Sequence, residues 1–149
     1  MKFEKFLKSI GVHGHVYVRA NGDKWLIGNG VGMMVPAGFK PFLGGTTVPD
    51  KTGEIVEAIV RSDCDEILKL TKAELPPDGK ASDILRVFTT SGLDEVKIYN
   101  CDFGLIEKSD VNLSYLEIED DDLNTLTYMV VFDGSQDSVI GFIRGIDEQ

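Results

Sequence analysis

The sequence predicts an α+β fold class, with mostly antiparallel sheet and two or three short helices in a single domain over residues 1–149. Three observations carry this prediction. Apolar residues recur at helical spacing near the N-terminus, an Asn-Gly pair separates two apolar segments, and the second half is a series of short strand-like segments divided by turn residues. A chain of 149 residues has the length of one ordinary domain.

The first forty residues predict one helix followed by three strands. Four apolar residues at positions i, i+3, i+4 and i+7 indicate the helix, and they are Phe3, Phe6, Leu7 and Ile10. Asn21-Gly22 then predicts a β-hairpin, because both residues tolerate the positive φ that a tight turn requires. A third strand, Val31 to Val35, ends at Pro36, since proline supplies no N–H to a sheet.

The middle of the chain predicts a long connection and a second helix. The segment from Ala37 to Lys51 is rich in glycine, proline and threonine, and connections of this length are commonly functional or mobile. The next apolar residues favour a helix, with a strand as the alternative; they are Ile55, Val56, Ile59 and Val60. A run of apolar residues then reaches Pro76-Pro77-Asp78-Gly79, which predicts a sharp break.

The second half predicts a hairpin, a helical turn and three more strands. The hairpin joins Ile84–Thr90 to Glu95–Tyr99, and the helical turn falls within Cys101–Asp110. The three strands are Leu113–Ile118, Leu126–Phe132 and Val139–Ile146. One helix followed by three strands thus occurs twice, which predicts two βαβββ-like halves, residues 1–50 and 66–149, joined by a loop and a helix.

The net charge of −10 is unevenly distributed along the chain. Residues 1–100 carry 13 acidic and 13 basic side chains, whereas residues 101–149 carry 12 acidic side chains and only two basic ones, Lys108 and Arg144. Such asymmetry predicts either a surface that repels nucleic acid or one that attracts a basic partner. The alternative is an acidic surface that only keeps the protein in solution.

One acidic run is the best candidate for a binding surface, and it consists of Glu117, Glu119, Asp120, Asp121 and Asp122. Carboxylates borne on a strand and spaced like backbone phosphates can occupy a protein groove meant for DNA. The alternative is a solvated loop that protects a strand from edge-to-edge pairing. We therefore expect a non-catalytic interaction protein whose partner is a basic protein surface, such as that of a nucleic-acid-processing enzyme.

Glycine-rich and acidic turns in the sequence fail the requirements of nucleotide and calcium sites. Gly28-Asn29-Gly30-Val31-Gly32 has Met33 where a dinucleotide fingerprint needs its third glycine, so a turn between strands is the better interpretation. The loop that begins at Asp133 has Ser138 and Arg144 where a calcium loop needs glycine and glutamate. We expect no cofactor.

Histidine and cysteine provide only weak candidates for metal or catalytic chemistry. His13 and His15 are two positions apart, so on one strand they would point to the same face and could hold a metal with a third ligand such as Asp23. Carboxylates next to Cys64 and Cys101 make both thiols poor nucleophiles. An enzyme that uses His13 or His15 therefore remains a second alternative to the interaction protein.

Apolar run length and cysteine content point to the cytoplasm and away from the membrane. The longest apolar runs, such as Thr127 to Phe132, are far shorter than the roughly 20 residues of a membrane span. The N-terminus interrupts its apolar positions with charges, unlike a secretory signal. Two isolated cysteines fit a reducing compartment.

Three segments resemble small uncharacterised proteins encoded by phages and prophages of Gram-positive gut bacteria. They are Phe3 to Gly11, Asn21 to Leu26, and Phe103 to Lys108. This resemblance covers about half of the chain and implies an origin in a mobile element. It implies no particular activity.

The order of elements is also similar to one domain of a DNA sliding clamp, which contains two βαβββ units. The second unit would run from Ile84 to Ile146, and the first, from Phe3 to Val35, lacks a strand before its helix. Clamps carry lysines on their inner helices, so the resemblance implies that Lys5, Lys8 and Lys108 face DNA. It implies a homo-oligomer that encircles or tracks DNA, an alternative to the acidic interaction protein.

Overall fold

The computed structural model describes residues 1–39, 50–62, 64, 66–75, 79–80, 84–120, 122–134 and 138–146. Across these ranges it contains three α-helices and nine strands in two antiparallel sheets, which confirms the predicted α+β fold class. The helices are α1 (Phe3–Ile10), α2 (Asp50–Val60) and α3 (Asn100–Phe103), and a 3₁₀ turn covers Gly11–His13. The strands are β1 (His15–Val18), β2 (Lys24–Gly28), β3 (Val31–Met34), β4 (Lys69–Glu74), β5 (Leu85–Thr89), β6 (Glu95–Tyr99), β7 (Leu113–Glu119), β8 (Thr125–Phe132) and β9 (Val139–Arg144).

The larger sheet joins the two halves of the chain. Its strand order is β1-β2-β3-β9-β8-β7, so two antiparallel three-stranded meanders meet where β3 pairs with β9. A helix precedes each meander in the sequence, α1 in the first and α3 in the second. Strand β6, which comes just before α3, belongs instead to the smaller sheet of order β4-β5-β6.

Two Asn-Gly pairs form turns of different kinds. Asn29 and Gly30 connect β2 to β3 with φ of 54° and 77°, as a tight two-residue turn requires. At the other pair only Gly22 has positive φ, because the Asn21 side chain accepts a hydrogen bond from the backbone N–H of Asp23 at 3.0 Å and shapes a longer turn. The Gly28-Asn29-Gly30-Val31-Gly32 segment therefore contains a turn between β2 and β3, as predicted from the sequence.

The larger sheet is covered on both faces. Helix α1 and the smaller sheet cover one face, where Phe6, Phe88 and Met129 are buried together. Helix α2 covers the other face, where Trp25 stacks on Phe142 with ring centroids 5.9 Å apart. Full burial of side chains of this size stabilises the fold by about 1.5–3 kcal/mol each.

Helix α2 is fixed to the edge strand β1 by a group of charged and polar side chains. The Tyr17 hydroxyl donates to Glu57 Oε1 at 2.9 Å, and Arg19 Nε donates to the same oxygen at 3.2 Å. The Arg19 guanidinium holds the pKa of the Glu57 carboxyl below its ordinary value. These contacts set the position of α2, which forms one wall of a groove described below.

Two predicted features fall wholly or largely outside the described residues. Residues 40–49 make up most of the predicted long connection, and residues 76–78 make up most of the predicted break. Within the part of the chain that the structure describes, none of the helices combines the length and apolar character required to cross a lipid bilayer.

Candidate interaction surface

Strand β7 forms one edge of the larger sheet, and beyond Leu113 its outward backbone groups form no backbone hydrogen bond within the described residues. It pairs with β8 from Leu113↔Val131 to Glu119↔Thr125, and Leu113 O accepts a hydrogen bond from Leu68 N–H at 2.8 Å on the other side. In an antiparallel pair, alternate residues direct both N–H and C=O away from the partner. After Leu113, the outward residues are therefore Tyr115, Glu117 and Glu119.

The acidic turn between β7 and β8 is held together by one of its own carboxylates. Asp120 Oδ1 accepts hydrogen bonds at 2.9 Å from the backbone N–H groups of Asn124 and Asp122. The bond from Asn124 contributes most to lowering the pKa of Asp120. Asp120 thus shapes the turn, while Asp122 is exposed. Asp121 lies outside the described residues.

Carboxylates from three segments surround Tyr115. Its hydroxyl donates to Asp94 Oδ2 at 3.2 Å, and Asp94 lies in the turn between β5 and β6. Desolvation is the largest cause that raises the pKa of Tyr115, and the charges of Asp94, Glu66 and Glu117 raise it further. The acidic surface is accordingly defined as Glu66, Asp94, Glu95, Glu117, Glu119 and Asp122. All six of these residues are exposed.

A polar cleft opens beside this surface, at one end of the two sheets. Its volume is about 630 Å³, and its lining includes Glu95, Lys97, Asp120, Asn124 and Arg144. Lys97 also pairs with Glu74 Oε2 at 3.1 Å. The cleft therefore has charges of both signs, with carboxylates at the ends of β6 and β7.

Two leucines project into solvent from the turns that border the cleft. Leu93 is 81% exposed with φ of 69°, and Leu123 is 79% exposed with φ of 62°. Left-handed backbone costs a residue with a Cβ atom about 1–2 kcal/mol. Exposed apolar side chains held at such cost are typical of contact sites, because strained residues concentrate at functional positions.

Other carboxylates of the last third lie elsewhere. Asp110 Oδ2 binds the N-terminal amine at 2.8 Å, with Glu107 at 3.6 Å, and Met1 packs against Gly141 near the far end of β8. Asp133 accepts a hydrogen bond from Ser138 at 2.8 Å. The acidic excess of residues 101–149 is thus divided among several places, and the acidic surface takes Glu66, Asp94 and Glu95 from the earlier part.

The two histidines do not share a strand face. His13 ends the 3₁₀ turn and is exposed, whereas His15 begins β1 and is half-buried. The chain is still in the 3₁₀ turn at His13, so the alternation that the prediction relied on begins only at His15. Among the described residues, no three His, Cys, Asp or Glu side chains are grouped closely enough to bind a metal ion.

The lysines implied by the clamp resemblance lie at and near the junction of α1 and α3. Lys5 Nζ donates to Gly104 O at 3.2 Å, just after α3, and Lys8 is exposed in the last turn of α1. Lys108 is exposed beyond α3. The exposed Glu4 and Glu107 lie beside them in sequence, so this region carries charges of both signs.

Both cysteines are free thiols. Cys101 is exposed, and its pKa is raised by partial desolvation and then by the Asp102 carboxylate. Cys64 is half-buried, with its Sγ 3.0 Å from Ser62 Oγ. Within the described residues, the hydrogen-bond partners of the two thiols are Ser62 and Asp102, and neither thiol bonds to a histidine.

Sequence inspection missed half of the acidic surface. Glu66, Asp94 and Glu95 are far from Glu117 in the chain, and only the packing of the smaller sheet on the larger one brings them together. The local signal was the hairpin turn ending in Asp94-Glu95, which places two carboxylates at the end of a sheet.

Comparison of this chain with protein-family models, with curated proteins and with solved structures finds no match.

Proposed function

We propose that this protein is a non-catalytic interaction protein that binds a basic protein surface through the acidic surface around Tyr115. The observation that carries the proposal is the convergence of carboxylates from three separate segments: the Tyr115 hydroxyl donates to Asp94 at 3.2 Å, and Glu66 and Glu117 line the same groove as Tyr115. The proposed partner is a nucleic-acid-processing enzyme of a phage or its host, and the proposed location is the cytoplasm.

The proposed contact combines charge with two apolar anchors. Leu93 and Leu123 stand among the carboxylates, at the tips of the turns next to Asp94 and Asp122. Burial of the two leucines in a contact would add apolar area removed from water, while charges at the rim set the association rate and the choice of partner. A basic surface with a shallow apolar depression complements this arrangement.

The test is a salt titration of binding to a fluorescent lysine-rich peptide, with a glutamate-rich peptide of equal length as the comparison. Exposed charges are screened within about 8 Å at physiological ionic strength, so affinity for the lysine-rich peptide should fall steeply from about 50 to 500 mM salt. The double substitution Glu117→Lys/Glu119→Lys should abolish binding.

The matched control is Glu4→Lys/Glu54→Lys, which changes the net charge equally at exposed positions on α1 and α2. Retained binding in this control, together with loss in the first variant, supports the acidic surface as the site. Equal loss in both variants, or an affinity that is flat across the salt range, would contradict the proposal.

A clamp-like accessory factor is the second candidate, favoured by the two helix-plus-three-strand units that meet at β3 and β9. It requires a closed oligomer formed by pairing of edge strands. Light scattering at tens of micromolar distinguishes the two, since the clamp-like factor must be a ring and the interaction protein need not associate with itself. A monomer at that concentration counts against the clamp-like factor.

A further inference from the structure

We propose that the partner contributes an extended segment that adds to the open edge of β7, with basic side chains on one face and apolar side chains on the other. This inference rests on the proposed function and specifies the kind of basic partner: a strand in which lysine or arginine alternates with apolar residues.

The backbone of β7 provides the first argument. The N–H and C=O groups of Tyr115, Glu117 and Glu119 point away from β8, and within the described ranges no backbone hydrogen bond reaches them. At the start of the edge Leu68 bonds to Leu113, and Cys64 and Glu66 lie across the groove from Tyr115 and Glu117. A strand added here would gain regularly spaced main-chain hydrogen bonds, as in other cases of recognition by strand addition.

The two faces of β7 provide the second argument, because they differ in chemistry. Glu117 and Glu119 are exposed on the face that carries Tyr115. Leu116 and Ile118 are half-buried on the face covered by α2. Residues directly opposite each other on neighbouring strands share a face. An added strand would therefore place every second side chain beside the glutamates and the others beside Leu116 and Ile118.

A groove beside the open edge can receive the side chains of an added strand. It has a volume of about 520 Å³; Ala58, Ser62, Cys64 and Glu66 line one side, and the β7 residues from Tyr115 to Ile118 line the other. It runs along the open edge, so side chains that project from an added strand would point into it.

An unsatisfied hydroxyl lies in a pocket that adjoins this groove. Ser114 is only 4% exposed, and its Oγ is buried with no hydrogen-bond partner in the described part of the chain. It lies on the same face as Leu116 and Ile118, and it lines an adjoining pocket of about 200 Å³ together with Cys64 and Asn112. Buried polar atoms normally have partners, so Ser114 Oγ is a buried hydroxyl whose hydrogen bond is unmade within the described residues.

The charges of Glu117 and Glu119 determine which kind of strand can pair with the open edge of β7. If β7 paired with β7 of a second copy, Glu117 and Glu119 would face the same glutamates across the pair, and like charges directly opposite each other are destabilising. The same glutamates attract a strand with lysine or arginine at alternate positions. Carboxylates on an edge strand also prevent unselective edge-to-edge pairing, which is consistent with an edge reserved for a basic strand.

The test uses synthetic peptides on the wild-type protein, with affinity measured by fluorescence anisotropy. The probe alternates lysine with valine, and a first control has the same composition in two blocks, all lysines before all valines. A second control carries N-methyl groups on alternate residues, which removes the donors that face β7 without changing the charge. We expect each control to bind about tenfold more weakly or worse, because a few hydrogen bonds contribute a factor of that size.

A protein variant tests the same contact from the other side. Glu117→Pro removes an outward N–H that takes no part in the ladder with β8, while Glu117→Ala removes the same charge and keeps the N–H. The proline variant should bind the alternating peptide more weakly than the alanine variant, with circular dichroism as the check of folding.

The outcomes separate this inference from the function on which it rests. If alternating, block and N-methylated peptides bind equally well and with the same salt dependence, strand addition is wrong and the acidic surface still binds basic partners. If no lysine-rich peptide binds at low salt, both proposals are wrong. Binding of the alternating peptide that survives N-methylation also overturns strand addition.

Discussion

The hydroxyl of Tyr115 on β7 donates a hydrogen bond of 3.2 Å to Asp94, in the turn that leads into β6. This contact joins the larger sheet to the smaller one at the acidic surface. It holds a carboxylate of the β5–β6 turn next to those of β7, so that the surface is assembled by packing between sheets. Both the geometry of the surface and part of the stability of the fold depend on it.

Substitution of Tyr115 by phenylalanine should lower the free energy of unfolding by about 0.5–1 kcal/mol, the usual net contribution of one partly exposed hydrogen bond. Urea unfolding at pH 7 measures this. Tyr99→Phe is the matched control, since Tyr99 is 51% exposed. An equal change in the two variants would contradict a specific role for the Asp94 contact.

Tyr115 also predicts a loss of stability at alkaline pH. The pKa of Tyr115 in the folded protein is raised above its ordinary value of 10.0, chiefly by desolvation and then by Asp94. Above pH 10.0 the unfolded chain therefore releases this proton more readily than the folded protein. Stability should fall as pH rises through the folded pKa, and Tyr115→Phe should reduce that fall.

Glu57 predicts a loss of stability in acid. Its folded pKa lies below the ordinary value of 4.5, chiefly because of the hydrogen bond from Arg19. The stabilisation contributed by ionised Glu57 is complete above pH 4.5 and disappears as the pH falls through the pKa of Glu57 in the folded protein. Glu57→Gln should lower stability by about 1 kcal/mol at pH 7 and weaken the acid dependence. Thermal unfolding at several pH values measures both effects, and the exposed Glu54→Gln is the control that should change neither.

A larger residue at position 32 should disrupt packing on the face of the larger sheet that α2 covers. A Cβ atom at Gly32 would overlap the ring of Phe142, which stacks on Trp25. Gly32→Ala should therefore destabilise the fold by about 1–3 kcal/mol, the usual range for an overpacked core. At Gly134 nothing lies within 4 Å of the added Cβ, so Gly134→Ala should change stability by less than about 0.5 kcal/mol. Similar changes in the two variants would contradict this packing.

Substitution of an exposed leucine by asparagine should have opposite effects on the stability of the fold and on peptide binding. Asparagine tolerates the left-handed backbone better than leucine, so Leu93→Asn should raise stability by about 0.5–1 kcal/mol. The same substitution should weaken binding of the lysine-rich peptide, since it removes an apolar anchor. Calorimetry and anisotropy on one preparation measure the two effects. A variant that is more stable and binds equally well would exclude Leu93 from the contact.

Local patterns predicted most of the elements of this fold. Apolar spacing indicated α1 at Phe3–Ile10, and alternation with turn residues indicated β7, β8 and β9 nearly at their observed bounds. Strand β4 was less evident, because five of its six residues are exposed and the segment lacks an alternating pattern. The separation into two sheets also had no local signal, since hairpin patterns identify adjacent strands and leave the partners of each hairpin open.

The acidic surface was predicted only in part, for a physical reason. Glu117, Glu119 and Asp122 form a visible run in the sequence, and they are exposed in the structure. Hydrogen bonds within the turn occupy Asp120, which a count of charges does not reveal. The role of Tyr115, the open edge of β7 and the approach of Asp94 depend on contacts between distant segments.

Residue-resolved amide hydrogen exchange tests recognition at the β7 edge most directly, with the protein free and saturated with the alternating lysine–valine peptide. In the free protein the amides of Tyr115, Glu117 and Glu119 should exchange rapidly, because no backbone group in the described part of the chain bonds to them. With the peptide they should become protected, while amides in β4, an edge strand of the smaller sheet, stay unchanged. Unchanged exchange at the β7 amides in the saturated complex, or protection confined to other strands, would contradict the account.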